Sequence, residues 1–272
     1  MPIDSTTARA RDLWRPLRYV WRVPLLLLII VLGICLCLLV LNPNRGAIMR
    51  DGREPLPHRL QRTWARWMLA IFGLRARRFG QPLADPVLFV ANHTSWLDIV
   101  SMHSQRAVCF VAKAEIARWP LVGWMAASGG TIFHRRGNNH SLSTVMQTMV
   151  ECLQAGRSVA VFPEGGTSHD GVPRVFHARI FQTALDADVA VQPVALRFTR
   201  EGRRVLDGGF REGESFMGNL VRLLGAAPMD VEVHFLGVVP PSPEARRDMA
   251  ESARARITTA LESAVAPAAS SP

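Results

Sequence analysis

Hydrophobic residues along the chain fall into short runs separated by amphipathic stretches. Six runs have the length of buried strands and end at turn-forming or polar residues: Val87–Val90, Ala107–Val111, Thr131–Phe133, Ser158–Phe162, Val189–Phe198 and Val231–Val239. Helical spacing occurs between and after them, at Leu97–Met102, Glu115–Ala127, Leu142–Leu153, Ile180–Leu185, Phe216–Leu224 and from Ser242 onwards. This alternation predicts an α/β fold, with a mixed, largely parallel sheet flanked by helices.

The N-terminal part contains a candidate membrane helix. Residues 23–41 carry no charge, and as a helix they extend about 28 Å at ~1.5 Å per residue, close to a hydrocarbon core of about 30 Å. A signal peptide is the alternative, but the preceding segment is long for one and no Ala-x-Ala site follows. A retained anchor is therefore expected. Arginines flank both ends, so the segment could span the bilayer or re-enter the same face.

A second candidate for membrane contact is an amphipathic helix at about residues 57–73. Its apolar stripe and its arginines lie on different faces; they are Leu60, Trp64, Trp67, Met68 and Ile71, against Arg59, Arg62 and Arg66. The pattern favours a helix lying in the headgroup layer, and a helix packed on the domain is the alternative. We thus expect a membrane-anchoring region over 1–80, a catalytic domain over 81–240, and a C-terminal helix with a disordered tail over 241–272.

Composition narrows the choice of partners. The formal net charge is +10, which indicates an anionic partner such as lipid headgroups or a phosphorylated substrate. The basic residues are dispersed without a nucleic-acid-binding signature, so nucleic acid is not an expected partner. Lys113 is the only lysine among 32 basic residues, either by chance or because a compact ammonium is needed there. The four cysteines have neither metal-ligand nor disulfide spacing.

One run ends in residues suited to acid–base chemistry. His93 leaves the strand that begins at Val87, and Asp98 falls in the first turn of the next helix. This spacing lets the carboxylate fold back on the imidazole, fixing its tautomer and raising its basicity. Ser95-x-x-Asp98 also matches a helix capping box, in which the carboxylate only satisfies backbone donors.

Two further strand ends carry groups suited to an anion. After the run at Ser158–Phe162, Glu164 is followed by Gly165-Gly166, where backbone N–H groups can approach an anion, and by Thr167. An ordinary surface turn is the alternative. After the run at Thr131–Phe133 come Arg135 and Arg136, two guanidiniums able to grip a phosphate or to lie on the surface.

Together these motifs resemble the 1-acylglycerol-3-phosphate acyltransferase (PlsC-like) family of glycerolipid acyltransferases. The match comprises four blocks in order, at Asn92–Asp98, Gly130–Arg136, Phe162–Gly165 and Val191–Val194. The segment Lys113–Gly123 is also similar to one that the family carries. The resemblance covers about Pro82 to Val239, and four blocks at compatible spacing are specific.

The resemblance implies transfer of a fatty acyl group from acyl-CoA or acyl carrier protein to the hydroxyl of a lysolipid, without a cofactor or metal. It implies His93 as general base and Asp98 as its orienting partner, acting without an acyl-enzyme. Acceptor-binding residues would be Arg136, Glu164 and Gly165, with Lys113, Arg135, Gly166 and Thr167 as weaker candidates. A site on the cytoplasmic face of the inner membrane is expected, with the lipid bilayer as a partner.

The third block departs from the family pattern. The usual continuation is Gly-Thr-Arg-Ser, whereas Gly165-Gly-Thr-Ser lacks the arginine, and His177 stands where a lysine is often found. The sequence favours lysophosphatidate as acceptor, narrowly, over lyso-ornithine lipid or another lyso-aminolipid.

Two other classes of function are alternatives. A metal-dependent hydrolase could use His93, Asp98, His169 and Asp170, although their spacing matches no paired-ligand motif. A non-catalytic, membrane-anchored lipid-binding protein could retain the fold. The presence of both His93 and Asp98 argues against such a loss of catalytic activity.

Overall fold

The computed structural model describes residues 12–39, 55–84, 86–135, 139–240 and 246–263. Eight α-helices in this part of the chain are α1 (Arg15–Leu39), α2 (Leu56–Ile71), α3 (Leu97–Gln105), α4 (Val122–Ser128), α5 (Asn139–Gln154), α6 (Gln182–Asp186), α7 (Phe216–Leu224) and α8 (Arg246–Glu262). Two 3-10 helices occupy Ala114–Arg118 and Ala178–Phe181.

The described strands form one sheet. They are β1 (Leu74–Phe79), β2 (Val87–Ala91), β3 (Cys109–Lys113), β4 (Ile132–His134), β5 (Val159–Val161), β6 (Ala190–Arg200), β7 (Arg203–Val205) and β8 (Met229–Phe235). Their order is β1-β8-β6-β2-β5-β3-β4, with β7 paired to β6. Pairing is parallel except where β6 meets β7 and β8. The predicted mixed, largely parallel sheet is confirmed.

Alternation along the strands builds two apolar layers. In β2, Leu88 and Val90 face the core beneath α5, α6 and α8, whereas Val87 and Phe89 face the opposite core with α3. All five β2 residues are buried, as expected for a central parallel strand covered on both sides. Helices α1, α2 and α7 pack over the β1–β8 end of that second face. The central strands β2, β5 and β6 are thereby fixed on both sides.

The sequence prediction missed two strands and joined two helices. β1 contains three arginines, and its neighbour in the sheet is β8 alone, so it lacks the apolar run of a central strand. The predicted helix Glu115–Ala127 is broken into a 3-10 helix and α4, because Leu121 adopts φ 62° after Pro120. β7 is a three-residue strand that pairs with the end of β6.

Helix α1 is the described helix that is long and apolar enough to span a membrane, by length and composition alone. It begins at Arg15, eight residues before the predicted start, and residues 40 and 41 lie outside the described chain. Its early start follows from docking onto α7. Arg22 is 1% exposed and donates to the carbonyls of Leu224 and Ala226, both at 2.9 Å. A guanidinium at the end of α7 satisfies orphan carbonyls and complements the helix dipole.

The second half of α1 packs against α2 and α4. The Trp64 indole N–H donates to the carbonyl of Ile29 at 2.8 Å. Gly33 is required at this crossing, since an added Cβ would lie 2.4 Å from the Met125 methyl and 2.8 Å from the Trp64 indole nitrogen. Helix α1 is therefore held to the domain at both ends.

Helix α2 covers most of the predicted amphipathic segment. Its buried residues are Ala65, Met68, Leu69 and Ile71, whereas Trp67 is 55% exposed. Part of the apolar stripe is therefore used in packing, and a headgroup position for the rest stays a prediction. β1 and α8 lie outside the predicted 81–240 domain, yet they pack into the sheet. The predicted regions 1–80, 81–240 and 241–272 therefore do not pack as separate units, and they stay a prediction about function.

Candidate active site

The first and third sequence blocks lie side by side at the carboxyl ends of two central strands. β2 and β5 are parallel neighbours, with Val90 paired to Val161. Their carboxyl ends deliver His93 and Glu164 to the same place, where ligands bind in open α/β sheets. β3 and β4 run parallel to them and end at Lys113 and His134 on the same edge.

Asp98 organises the turn that follows β2. Its Oδ2 accepts hydrogen bonds from the backbone N–H groups of Thr94 at 2.6 Å and Ser95 at 2.8 Å, and the His93 Nδ1 lies 3.0 Å from the same oxygen. The Asp98 side chain is fully buried. The capping and the dyad interpretations of this motif therefore coexist, because one carboxylate does both.

The dyad leaves one imidazole nitrogen for chemistry. With Nδ1 facing the carboxylate of Asp98, Nε2 of His93 is the atom that can accept a proton. The His93 side chain is 15% exposed, whereas Asp98 is inaccessible. The ring stacks on Phe162, with centroids 3.9 Å apart and an interplanar angle of 9°. The imidazole is thus held in one orientation by an ionic partner and an aromatic plane.

Glu164 joins the two blocks through backbone contacts. One carboxylate oxygen accepts the N–H of His93 at 2.8 Å and the other accepts the N–H of Arg174 at 2.9 Å. A further bond runs from the N–H of Ser168 to the carbonyl of His93 at 2.8 Å. Glu164 therefore fixes the position of the His93 turn, and its predicted role in acceptor binding stays a prediction.

Glu164 is also the site's perturbed carboxyl group. Burial raises the pKa of Glu164 to about 7, and the two backbone N–H donors, from Arg174 and His93, oppose this rise. A carboxyl that is 5% exposed loses the hydration that would stabilise its charge. Its protonation state therefore changes near neutral pH.

The other predicted site residues that the structure describes form no hydrogen bond with the His93–Asp98 pair. Gly165 has φ 68°, and an added Cβ would lie 3.0 Å from Nε2 of His177, so a side chain there would be strained and crowded. Gly166 and Thr167 follow in the same loop, half-buried. Lys113 and Arg135 have exposed side chains at the ends of β3 and β4. Arg136 lies outside the described residues.

Sequence reasoning gives no role to two residues that shape the site. Phe162 supports the His93 ring, although its place directly after an apolar strand resembles any core aromatic. The Asn92 amide continues the pairing of β2 with β6, donating to the Leu196 carbonyl at 2.9 Å and accepting its N–H at 2.8 Å. The sequence feature that could have indicated a role for Asn92 is its position directly before His93, at the end of a strand.

The groups of the metal-hydrolase alternative have other partners. His169 faces the carbonyl of Phe210 at 3.1 Å through Nδ1, and Asp170 accepts the N–H of Val172 at 3.0 Å. Within the described ranges, no group of three or more His, Cys, Asp or Glu side chains is placed to hold a metal ion.

Comparison with known proteins identifies the family. A family model described as Acyltransferase matches residues 62–197, half of the chain. The chain belongs to the acyltransferase family. The match extends from α2 to β6 and includes the His93 turn, the Glu164 loop and the sheet between them.

Relatives of this acyltransferase fall into two groups by name. A lyso-ornithine lipid O-acyltransferase from Pseudomonas aeruginosa is 36% identical over 213 residues, 78% of this chain and 82% of that protein. A 1-acyl-sn-glycerol-3-phosphate acyltransferase from Neisseria gonorrhoeae is 39% identical over 133 residues, 48% of this chain and 52% of that protein.

The fold has a solved counterpart. The crystal structure of the 1-acyl-sn-glycerophosphate (LPA) acyltransferase PlsC from Thermotoga maritima superposes with a TM-score of 0.62, covering 94% of this acyltransferase and 98% of that chain at 19% identity. At this identity the likeness concerns the fold alone.

Proposed function

We propose that this acyltransferase moves a fatty acyl group from a thioester donor to the hydroxyl of a lysolipid, with His93 as general base. The observation that carries the proposal is the His93–Asp98 pair, in which Nδ1 lies 3.0 Å from a fully buried carboxylate while the ring keeps contact with the exterior. A hydroxyl is a weak nucleophile until its proton is taken, and imidazole titrates in the range needed to take it.

The reaction follows from this arrangement as one acyl transfer. Nε2 of His93 takes the hydroxyl proton while the acceptor oxygen bonds to the thioester carbonyl carbon. Collapse of the tetrahedral intermediate breaks the carbon–sulfur bond, and the thiolate takes the proton from His93 as it leaves. The Asp98 side chain, 3.0 Å from Nδ1, stabilises the transient imidazolium. The donor is acyl-CoA or acyl carrier protein, and no acyl-enzyme forms.

For the acceptor we propose lyso-ornithine lipid, reversing the order that the sequence favours. The relative that carries this name matches over 78% of the chain, against 48% for the relative named for 1-acylglycerol-3-phosphate. Thr167 stands where the family pattern has an arginine, so the Glu164 loop lacks one guanidinium that a phosphate headgroup would use. An ornithine headgroup, with one carboxylate and one ammonium, needs less positive charge there.

Lysophosphatidate is the second candidate. The match to the Neisseria gonorrhoeae protein, at 39% identity, favours it. Arg135 and Lys113 at the same sheet edge could supply charge for a phosphate.

The proposed location is the cytoplasmic face of the inner membrane, with α1 lying in a single leaflet. Support comes from the docking of α1 on the domain at Arg22 and again at Ile29 and Gly33. Because these contacts hold α1 against the rest of the domain, we place α1 and the domain on the same face of the bilayer.

Acyl transfer by the purified full-length protein tests the function. Labelled acyl-CoA is offered with lyso-ornithine lipid and with lysophosphatidate in parallel, and then acyl carrier protein is tried as donor. We expect faster acylation of lyso-ornithine lipid. Faster acylation of lysophosphatidate contradicts the acceptor proposal, and no product from either acceptor with either donor contradicts the function.

A further inference from the structure

The segment Trp119–Trp124 exposes four large apolar side chains. Trp119 is 36% exposed, Leu121 53%, Val122 45% and Trp124 40%. It follows the 3-10 helix Ala114–Arg118 and includes the first three residues of α4. Clustered exposed apolar residues of this kind mark an interaction surface.

The backbone of this segment is strained in a way that displays Leu121. Its φ and ψ are 62° and −54°, and the N–H of Val122 donates to the carbonyl of Pro120 at 2.7 Å. This is a γ-turn of the rare and strained kind, centred on leucine, which avoids positive φ. Backbone hydrogen bonds from Gly123 to Trp119 and from Met125 to Leu121 hold the turn in place. The turn leaves the Leu121 side chain 53% exposed, so it presents an apolar side chain at the surface.

The segment is continuous with the apolar surface of α1 through two bridges. On one side, the Trp119 ring lies 4.8 Å from the Phe216 ring at the start of α7. Helix α7 exposes Met217 and Val221 and is bonded to α1 through the Tyr19 hydroxyl.

On the other side, α4 packs directly on α1. Met125 follows the segment and closes over Gly33. Helix α1 itself exposes Leu25, Leu28 and Leu32. The exposed apolar residues of α1 and those of the Trp119–Trp124 segment are therefore joined through α7 on one side and α4 on the other.

We propose that the Trp119–Trp124 segment inserts into the lipid bilayer, beside α1, and brings the active site to the membrane surface. The occupant is a lipid monolayer because the surface continues that of α1, and because Lys113 and Arg118 beside it are exposed cations suited to anionic headgroups. Tryptophan at both ends of the segment suits the headgroup boundary.

Insertion of this segment would bring the dyad turn close to the bilayer. Phe216 also contacts Trp96, with centroids 5.8 Å apart, and Trp96 lies in the turn between His93 and Asp98. The inserted segment is thus linked by a chain of aromatic rings to the dyad turn. A lysolipid could then be reached while its acyl chain stays in the bilayer. This inference rests on the proposed lysolipid activity.

Depth measurement tests the insertion without reference to catalysis. A nitroxide is attached to Leu121→Cys, in the full chain carrying Cys35→Ala, because Cys35 is the exposed cysteine and the other three are buried. The protein is placed in phosphatidylglycerol–phosphatidylethanolamine vesicles. The matched control is Glu251→Cys, at an exposed position on α8 across the sheet.

We expect the label at 121 to be more accessible to oxygen than to a water-soluble nickel complex, and the label at 251 to show the reverse. Equal nickel accessibility at both positions overturns the proposal. A label at 121 that is shielded from both relaxants also overturns it, since this indicates a protein partner.

An activity measurement separates this proposal from the proposed function. Leu121→Gly removes the side chain and relieves the positive φ, so the variant should be at least as stable as wild type. We expect acylation of a vesicle-bound lysolipid to fall roughly tenfold, since that is the scale of one buried leucine. Acylation of a short-chain, water-soluble acceptor with the same headgroup should not change.

Each other outcome has a distinct meaning. Wild-type rates on both acceptors overturn the insertion and leave the function intact. A loss on both acceptors also overturns it, since the segment would then act on the chemistry. A wild-type enzyme inactive on both acceptors contradicts the proposed function instead.

Discussion

Glu164 holds an unusual position for a carboxylate, because both of its oxygens serve backbone N–H groups in a buried site. The folded pKa is about 7, against 4.5 for an ordinary glutamate. A raised pKa means that the folded protein binds more protons than the unfolded chain between these values. The contribution of Glu164 to the free energy of unfolding is therefore fully present below pH 4.5 and is lost as the pH rises through about 7.

This gives the first prediction. Wild type should lose about 3 kcal/mol of this group's contribution between pH 4.5 and about 7, and Glu164→Gln should lack that component because its side chain does not titrate. Thermal unfolding in detergent at pH 5 and pH 8, for both proteins, measures it. An identical pH dependence in the two proteins would contradict the assigned pKa.

The second prediction concerns Thr167, at the position of the family's arginine. Thr167→Arg should raise the rate with lysophosphatidate relative to lyso-ornithine lipid, because a guanidinium matches a phosphate in fork geometry. The measurement is the ratio of kcat/KM for the two acceptors. Thr167→Gln is the control for size without charge, and an unchanged ratio in the arginine variant would remove this residue from acceptor choice.

Much of the site could be predicted at the residue scale because it depends on local spacing. Four residues separate His93 from Asp98, and that spacing alone brings the two side chains together across one turn. The stacking of Phe162 on His93 and the hydrogen bond that the His93 N–H donates to Glu164 join positions about seventy residues apart. Such contacts depend on β2 and β5 being neighbours, which no single motif encodes.

At the scale of elements, the central strands and the edge strand β4 were predictable, whereas β1 and β7 were not. β2, β5 and β6 are apolar because both faces are covered, so their runs stand out. β1 satisfies its sheet pairing while its arginines face outward, and its composition resembles a loop. The break at Leu121 was signalled by Pro120, since a proline inside a helical pattern disfavours the helix.

Helix α1 shows how a tertiary contact can extend an element. Its start at Arg15 depends on arginines that bind the end of α7, whereas hydropathy alone predicts a start at Val23. The third prediction follows from this contact. Arg22→Met removes the donor to the carbonyls of Leu224 and Ala226. It should lower stability by about 2–4 kcal/mol and expose α1 to protease.

Limited proteolysis and thermal unfolding in detergent measure both effects. Arg78→Met is the matched control, because Arg78 is exposed on β1. If both variants behave alike, the Arg22 contact does not fasten α1 to the domain.

At the scale of the whole molecule, the acyltransferase combines a net charge of +10 with an apolar surface built from α1, α7 and the Trp119–Trp124 segment. Both features suit an anionic bilayer, and the helices that carry them pack on the face of the sheet opposite α5, α6 and α8. The proposed membrane-facing surface and helices α5, α6 and α8 therefore lie on opposite faces of the sheet, with the dyad turn after β2 at the carboxyl ends of the central strands.

The proposed mechanism requires His93 to take the proton of the acceptor hydroxyl. The most direct test is the rate of acyl transfer by His93→Ala, with His58→Ala as the control for loss of a histidine elsewhere. We predict a fall of about 10²–10⁴-fold in kcat, with thermal stability and vesicle binding preserved. Acyl transfer by His93→Ala at the wild-type rate would contradict the assignment of the base and, with it, the mechanism proposed for this acyltransferase.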